Sequence, residues 1–238
     1  MVSLTTSERV VDFRQAQREW ELLTPMFRDI LLRTDLRGRT VVDAGTGQGR
    51  VAFFLAPNVG RVVAIDVDEN ALWKARQYAA MKGIKNIDFL LADLEKEPLH
   101  RIWDGPVDGI VSNFFMSEAL LWRVSSALPV GGIFAFCCHH KDHWRETGEP
   151  SHHSFSEDEL EDLLGEDFLE PEFMGVEQHV IHFNSIDEVE LFIGGRTLQS
   201  WSEDGRWDVL RDRFQRGYKQ LTLSYLVGKA RRGPGSHW

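Results

Sequence analysis

The chain has 238 residues, of which 42% are hydrophobic and 27% are charged, as expected for one large folded domain. It has no long apolar run and its first residues are polar, so we expect neither a transmembrane helix nor a signal peptide. The net charge of −10 argues against a nucleic-acid partner, because binding phosphates requires a basic surface. Cys137 and Cys138 are adjacent and poorly placed to form a disulfide, so we expect a cytoplasmic protein.

From residue 39 onward, short apolar runs alternate with helical patterns. Five runs predict buried strands at residues 41–43, 62–66, 87–91, 107–111 and 132–138. Three segments between them have helical spacing, at residues 51–56, 69–82 and 117–127. Buried strands that are separated by helices predict a parallel sheet with both faces covered.

The flanking segments have other patterns. Residues 7–33 are predicted to form one or two helices with a break at Pro25. After the core, Ser156 and Glu159 have the spacing of a capping box, which starts a helix through residue 164. The remaining predictions are a strand at 176–183, helices at 186–199 and 207–218, and a last strand at 221–227.

These elements predict a single α/β domain with a doubly wound, seven-stranded, mostly parallel sheet. Within it we distinguish an N-terminal helical cover (1–38), a ligand-binding core (39–183), a helical insertion (184–219) and the last strand (220–232).

The first strand-to-helix turn carries three glycines directly after an acidic strand end. Gly45, Gly47 and Gly49 follow Asp43, whereas a dinucleotide fingerprint would need a glycine where this chain has Arg50. Open parallel sheets bind ligands at the carboxyl ends of their strands. A pyrophosphate would meet the Asp43 carboxylate unfavourably, but a ligand with a cationic amino group would not. The turn therefore predicts a nucleotide-type ligand that carries a positive charge.

This acidic strand end and its G-x-G-x-G loop resemble motif I of the class I S-adenosylmethionine-dependent methyltransferases. Asp66, Asp93 and Asn113 follow the next three predicted strands, and the turn at 128–132 resembles the family's L-x-P-G-G turn with Val130 inserted. The resemblance implies a Rossmann-like methyltransferase fold, S-adenosylmethionine as the methyl donor and S-adenosylhomocysteine as the product.

The resemblance also implies which residues bind the donor. Asp66 would accept hydrogen bonds from the ribose hydroxyls, and Asp93 would accept one from the adenine amino group. Two assignments have a structural alternative, since Asp43 could merely orient the glycine loop and Asn113 could be a turn residue. The complete predicted set is Asp43, Gly45, Thr46, Gly47, Gly49, Asp66, Val67, Ala92, Asp93, Leu94 and Asn113.

Several histidines follow the fifth predicted strand, in the region that borders the donor pocket in this fold. We consider three as candidate general bases, with packing or surface roles as the alternative: His139, His140 and His143. His152 and His153 come next in the chain. We predict no metal site, because adjacent cysteines on a strand face opposite sides and the spacing fits no zinc pattern. No residue is assigned as catalytic.

The acceptor is predicted to be a small molecule. The insertion resembles the lid of small-molecule methyltransferases such as the malonyl carrier-protein and trans-aconitate groups, and it carries Phe192, Trp201 and Trp207. The sequence after Asn113 lacks the two prolines of DNA adenine methylases. A protein or RNA methyltransferase and a non-catalytic donor-binding protein remain alternatives. The acceptor atom and the oligomeric state, monomer or homodimer, are left open.

Overall fold

The computed structural model describes residues 4–19, 23–150 and 153–235. Its strands are β1 (Leu4–Asp12), β2 (Thr40–Ala44), β3 (Arg61–Asp66), β4 (Ile87–Leu91), β5 (Gly109–Asn113), β6 (Ile133–His140), β7 (Ser154–Phe155), β8 (Leu169–His182) and β9 (Gln220–Arg232). Its helices are α1 (Phe13–Glu19), α2 (Pro25–Arg33), α3 (Arg50–Leu55), α4 (Glu69–Lys82), α5 (Leu99–Ile102), α6 (Glu118–Ala127), α7 (Glu157–Glu166), α8 (Ile186–Asp204) and α9 (Arg206–Gln215). Short 3₁₀ turns cover Ala56–Asn58 and Arg145–Thr147.

All the described strands form one sheet with the order β1-β8-β9-β6-β5-β2-β3-β4, and the short β7 pairs with β6. Every pairing is parallel except those of β9, which runs antiparallel to both β6 and β8. The chain winds outward from β2 in one direction and from β5 in the other. The boundary between β2 and β5 is therefore the switch point at which ligands bind in open sheets.

The sheet buries apolar side chains on both faces. One face packs against α1, α2, α3, α8 and α9 and includes Val41 and Ile133, and we call it the front core. The other packs against α5, α6 and α7 and includes Val42 and Phe134, and we call it the back core. Alternate residues of a strand point to opposite faces, so each central strand contributes to both cores.

The doubly wound, mostly parallel α/β fold is confirmed, but the predicted number of seven strands is too low. The described sheet has nine strands, and the two that the sequence did not predict are β1 and the two-residue β7. The helical cover predicted over 1–38 is wrong over Leu4–Asp12, where the chain pairs with β8 along nine register positions. This edge strand has one buried valine beside an exposed one, so pairing with β8 rather than a strong apolar pattern determines it.

Helix boundaries follow the local signals. The predicted break at Pro25 is present, because Leu23 and Thr24 are not helical and Pro25 begins α2, where its fixed φ and missing N–H are tolerated. The capping box of Ser156 and Glu159 is present at the start of α7. Within the described residues, no helix is both long and apolar enough to cross a membrane.

Candidate active site

The glycine loop joins β2 to α3 at the switch point. Gly45, Gly47 and Gly49 all have positive φ, at 70°, 53° and 85°, which side chains with a Cβ adopt only under strain. The backbone N–H groups of Gly45 and Thr46 both donate to the carbonyl of Ile65 on β3. The loop is thus fixed against the neighbouring strand, and a Cβ on Gly47 would meet only open space.

Asp43 lies beneath this loop and is 1% exposed. Its Oδ2 accepts hydrogen bonds from Thr46 Oγ1 at 2.5 Å and from the backbone N–H of Ala52 at 2.9 Å. Its Oδ1 is buried without a hydrogen-bond partner. Burial raises the pKa of Asp43 to about 7. The side chain therefore orients the loop, as the alternative interpretation required, and has one oxygen left for another cation or donor.

Asp66 is the last residue of β3, and Asp93 lies two residues beyond the end of β4, at the same edge of the sheet. Asp66 accepts the backbone N–H of Gly47 at 2.7 Å and that of Asp68 at 2.8 Å, one on each oxygen. Asp93 Oδ2 lies 2.8 Å from Lys96 Nζ in a hydrogen-bonded ion pair. The hydrogen bond from Lys96 lowers the pKa of Asp93. A carboxylate oxygen has more than one acceptor site, so both groups still have capacity for a ligand.

The other predicted donor-binding residues surround this edge. Val67 is exposed, Ala92 is half-buried and Leu94 is buried in the back core. Asn113 ends β5, and its Oδ1 is buried without a hydrogen-bond partner.

These features fit a donor that carries an adenosine and a cationic amino acid. The unpartnered oxygens of Asp43 and Asn113, the open side of Gly47 and the two further carboxylates lie along one edge of the sheet. Their contact with the donor remains a prediction.

Histidines at the end of β6 lie on two faces of the sheet. His140 is buried between Ser224 and Glu157, with 3.0 Å from its ring nitrogens to both side chains. His143 is 1% exposed, and its Nδ1 is 3.1 Å from the backbone nitrogen of Ser224. Burial and His139 lower the pKa of His143 well below its usual range. His140 therefore joins β6, β9 and α7, and His143 packs against β9.

His139 is half-buried, and burial with a contribution from His153 lowers its pKa to about 4. It is therefore neutral at physiological pH but a weak proton acceptor. His152 lies outside the described residues. The roles of His139, His140 and His143 as bases remain predictions.

Cys137 and Cys138 point into opposite cores, as predicted from strand alternation. Within the described part of the chain, no group of three or more His, Cys, Asp or Glu side chains is arranged to hold a metal ion.

An aromatic cluster lies where β5 and β6 end and β9 begins. It consists of Phe114, His139, His143, Trp144 and Tyr225. His139 lies 5.3 Å from Phe114 and 4.2 Å from His143, while Tyr225 lies 5.1 Å from Phe114, between ring centroids. Phe114 and Trp144 both have positive φ, 62° and 60°, which is a strained conformation for a side chain of this size. Strain of this kind is typical of functional sites.

Helix α8 packs against this cluster, and α1 packs against α8. Trp144 meets Trp201 of α8 edge to face at 4.8 Å, and Phe13 of α1 meets Phe192 of α8 at 6.4 Å. Trp207 of α9 is buried in the front core. Aromatic side chains from β9, α8 and the segments after β5 and β6 thus lie together at the carboxyl edge of the sheet.

Two residues of β8 form a pair that no pattern in the sequence indicated. Glu177 and His179 are two positions apart, so they share a face of the sheet, and their side chains are 2.8 Å apart. Their spacing was visible in the sequence, but nothing local showed that this face of β8 lies beside Tyr225.

The fold and the glycine loop define a Rossmann-like protein with a ligand site at the switch point between β2 and β5. Residues 35–188 match the family model described as "Methyltransferase domain". The chain therefore belongs to this family, and it is a member of the class I S-adenosylmethionine-dependent methyltransferases, whose cofactor is S-adenosylmethionine.

Among curated proteins, phosphoethanolamine N-methyltransferase 1 of Arabidopsis thaliana is 29% identical over 150 residues, covering 55% of this chain and 30% of that protein. Aklanonic acid methyltransferase DauC of Streptomyces sp. (strain C5) is 31% identical over 122 residues, covering 49% of this chain and 56% of that protein. The matches thus span less than two thirds of either relative. A solved SAM-dependent methyltransferase from Aquifex aeolicus shares the fold, with a TM-score of 0.53, 24% identity, and coverage of 68% of this chain and 90% of that chain.

Proposed function

We propose that this chain transfers a methyl group from S-adenosylmethionine to an oxygen, nitrogen or carbon of a small molecule. The observation that carries the proposal is the aromatic cover over the edge of the sheet that bears the glycine loop. Trp144, Trp201 and Phe192 lie within this cover and make it apolar. A small, partly apolar acceptor suits such a surface better than a folded RNA or protein does.

The donor would be held by groups that the chain places along the switch point. Asp43 offers an unpartnered oxygen to the amino group, while Asp66 and Asp93 offer carboxylates to the ribose and the adenine. The sulfonium of the donor supplies an already activated methyl group. The protein then has to orient the acceptor, exclude water and, where the acceptor carries a proton, accept that proton.

The small-molecule relatives support the same class of acceptor, since one is a phosphoethanolamine methyltransferase and another an aklanonic acid methyltransferase. Which small molecule is methylated does not follow from them. The resemblance to the malonyl carrier-protein and trans-aconitate group also stays a prediction.

The donor assignment is tested by calorimetry with S-adenosylhomocysteine. We expect Asp66→Ala to weaken binding about tenfold or more, because it removes a charged acceptor of two hydrogen bonds. Asp104→Ala is the matched control, since Asp104 is an exposed aspartate with no role in the proposed site. Equal affinity of the wild type and a folded Asp66→Ala variant would contradict the assignment.

The acceptor class is tested with S-adenosylmethionine that carries a tritiated methyl group. A cell extract is divided into metabolites below about 3 kDa, RNA and protein, and phosphoethanolamine and aklanonic acid are assayed separately. The proposal expects label in the metabolite fraction. Label confined to RNA or protein would replace it with the macromolecular alternative, and donor binding without transfer to any fraction would favour the non-catalytic one.

A further inference from the structure

A buried carboxylate and an imidazole form a pair on β8, outside the histidines of the β6 end. Glu177 is 3% exposed, and its Oε1 lies 2.8 Å from Nε2 of His179. Its Oε2 accepts the backbone N–H of Met26, in the first turn of α2, at 2.9 Å. With both oxygens engaged, the carboxylate is fixed, and it fixes the ring in turn.

This pair faces the same side of the sheet as the aromatic cluster. Glu177 and His139 are both register partners of Tyr225, one on each side of β9, so the three side chains share the front face. The ring of His179 lies 6.5 Å from the ring of Tyr225, which in turn lies 5.1 Å from Phe114. Tyr225 thus connects the pair to Phe114, which directly follows Asn113 of the proposed donor site.

The other candidate imidazoles are less suited to taking a proton. His140 packs on the opposite face, with both ring nitrogens bonded to Ser224 and Glu157. Burial lowers the pKa of His139 to about 4, and among the described residues no carboxylate pairs with it. His179 has a buried carboxylate on one nitrogen and a side chain that is still 14% exposed.

We propose that His179 is the general base of methyl transfer and that Glu177 is its positioning residue. The proposal rests on the proposed function and deepens it. Because Glu177 accepts from Nε2–H, the pairing leaves Nδ1 with the free lone pair. This is the arrangement in which a carboxylate fixes the tautomer of a catalytic histidine.

The step that follows conserves atoms and charge. The acceptor oxygen or nitrogen forms a bond to the methyl carbon, the carbon–sulfur bond breaks with its electron pair going to sulfur, and the acceptor's proton moves to Nδ1 of His179. The imidazolium that forms is stabilised by Glu177 and later releases the proton to water. The acceptor class is accordingly one with an O–H or N–H at the methylated atom, rather than a tertiary amine or thioether.

The charged and titratable groups around the ring come from four elements. Glu177 lies on the same strand, and Arg9 is the register partner of His179 on β1. Tyr225 on β9 faces the ring of His179. The positive charge of Arg50, at the start of α3, favours the ionised form of Tyr225. The imidazolium thus has one buried carboxylate in contact with it, so loss of the Glu177 charge should have a marked effect.

The kinetic test uses His179→Gln, with His182→Gln as the matched control, because His182 is an exposed histidine at the end of the same strand. The assay uses whichever of phosphoethanolamine and aklanonic acid the wild type methylates faster. For His179→Gln we expect turnover to fall about a hundredfold or more with S-adenosylhomocysteine affinity within about twofold of the wild type. The acid limb of the pH–rate profile should disappear.

For Glu177→Gln we expect a smaller loss of turnover and an acid limb that is moved to lower pH. Unchanged turnover of His179→Gln, or a loss seen only in His139→Gln, would overturn the proposal.

A second measurement does not depend on turnover. Nitrogen-15 NMR of histidine-labelled protein bound to S-adenosylhomocysteine reports the tautomer of His179, assigned by its absence in His179→Gln. The proposal expects Nε2–H in the wild type and a mixture of tautomers in Glu177→Gln. A ring protonated at Nδ1 instead would overturn it even if no acceptor were methylated. Failure of donor binding in the wild type would contradict the proposed function, whereas an active wild type with an unaffected His179→Gln would contradict only this inference.

Discussion

Asp43 combines burial with an unsatisfied oxygen, and this makes the donor site sensitive to pH. Burial raises the pKa of Asp43 to about 7, from an ordinary value of 3.8. Between these two values the folded protein holds a proton that the unfolded chain releases. The free energy of unfolding contributed by this group therefore falls as pH rises through that window, by up to about 1.4 kcal/mol per pH unit. A cationic ligand at Oδ1 would offset this cost, because it stabilises the ionised form.

We therefore predict that S-adenosylhomocysteine binds more tightly as pH rises from about 5.5 to about 7.5. Below the pKa of Asp43, the dissociation constant should change by up to about tenfold per pH unit, since binding the amino group requires the carboxylate. Calorimetry at several pH values measures this slope. Asp43→Asn should bind weakly with a flat profile, and a slope that survives in Asp43→Asn would assign the dependence to another group.

Gly47 offers a second test at the residue scale. Gly47→Ala should lose donor affinity tenfold or more, because the new Cβ would occupy the space beside the loop that we assign to the donor. It should keep its fold, because that space holds no protein atom within 4 Å. Gly83→Ala is a matched control, since Gly83 has a similar φ of 68° and equally open surroundings at the end of α4. Both variants should lose about 1 kcal/mol of stability from backbone strain. Equal donor affinity in the two variants would show that Gly47 does not border the donor.

The proposed donor-binding set could be placed at one edge of the sheet from the sequence because its signal is local. An acid, three glycines and further acids at the ends of successive strands need only the order of the chain, which the sequence prints directly. Glu177 and His179 could not be found this way. Their proximity to Tyr225 depends on the register of β8 against β9, which pairs segments about fifty residues apart in the chain.

At the scale of elements, α8 contains the clearest conformational break. Gly194 has φ 75° and ψ 164° in the middle of the helix, a region that only glycine occupies readily. The break separates the half of α8 that carries Phe192 from the half that carries Trp201. Phe192 contacts Phe183, whereas Trp201 contacts Trp144.

We predict opposite effects for the two adjacent glycines of this helix. Gly194→Ala should lower the free energy of unfolding by about 1 to 3 kcal/mol, because alanine is strained at these backbone angles. It should also raise the KM for the acceptor, because relief of the strain would change the angle between the two halves of α8. Gly195→Ala should be neutral or stabilising, since only Gly194 departs from helical angles in α8 and a Cβ at either position meets open space. Thermal melting and steady-state kinetics measure both. Stability and KM that change in the same direction in both variants would contradict a requirement for the break at Gly194.

Elements were predicted well where packing enforces a period and poorly where it does not. α4 begins and ends where its pattern and its cap, Asp68, indicate. β1 was missed because it is an edge strand whose outer residues are exposed, as with Val10 beside the buried Val11. Only pairing with β8 makes it a strand, and pairing of this kind is not recorded in a single sequence.

At the scale of the whole molecule, the two cores share one sheet. β6 lies inside that sheet and sends Cys137 into the front core and Cys138 into the back core, at 0% and 1% exposure. Burial raises the pKa of both thiols, which suppresses the reactive thiolate in the native state. Each cysteine is thus a reporter of the opening of one core.

We predict that both thiols react with Ellman's reagent only through a common opening of the sheet. Cys137→Ala and Cys138→Ala each leave one thiol, and the two rates should agree within a few-fold once corrected for the stability of each variant. S-adenosylhomocysteine at about 100 times its dissociation constant should slow both rates about a hundredfold, because it binds the folded chain at an edge that both cores support. Denaturant should expose one reactive thiol in each variant. Faster labelling of one cysteine, or protection of only one by the ligand, would show that the two cores open separately and that the site depends on one of them alone.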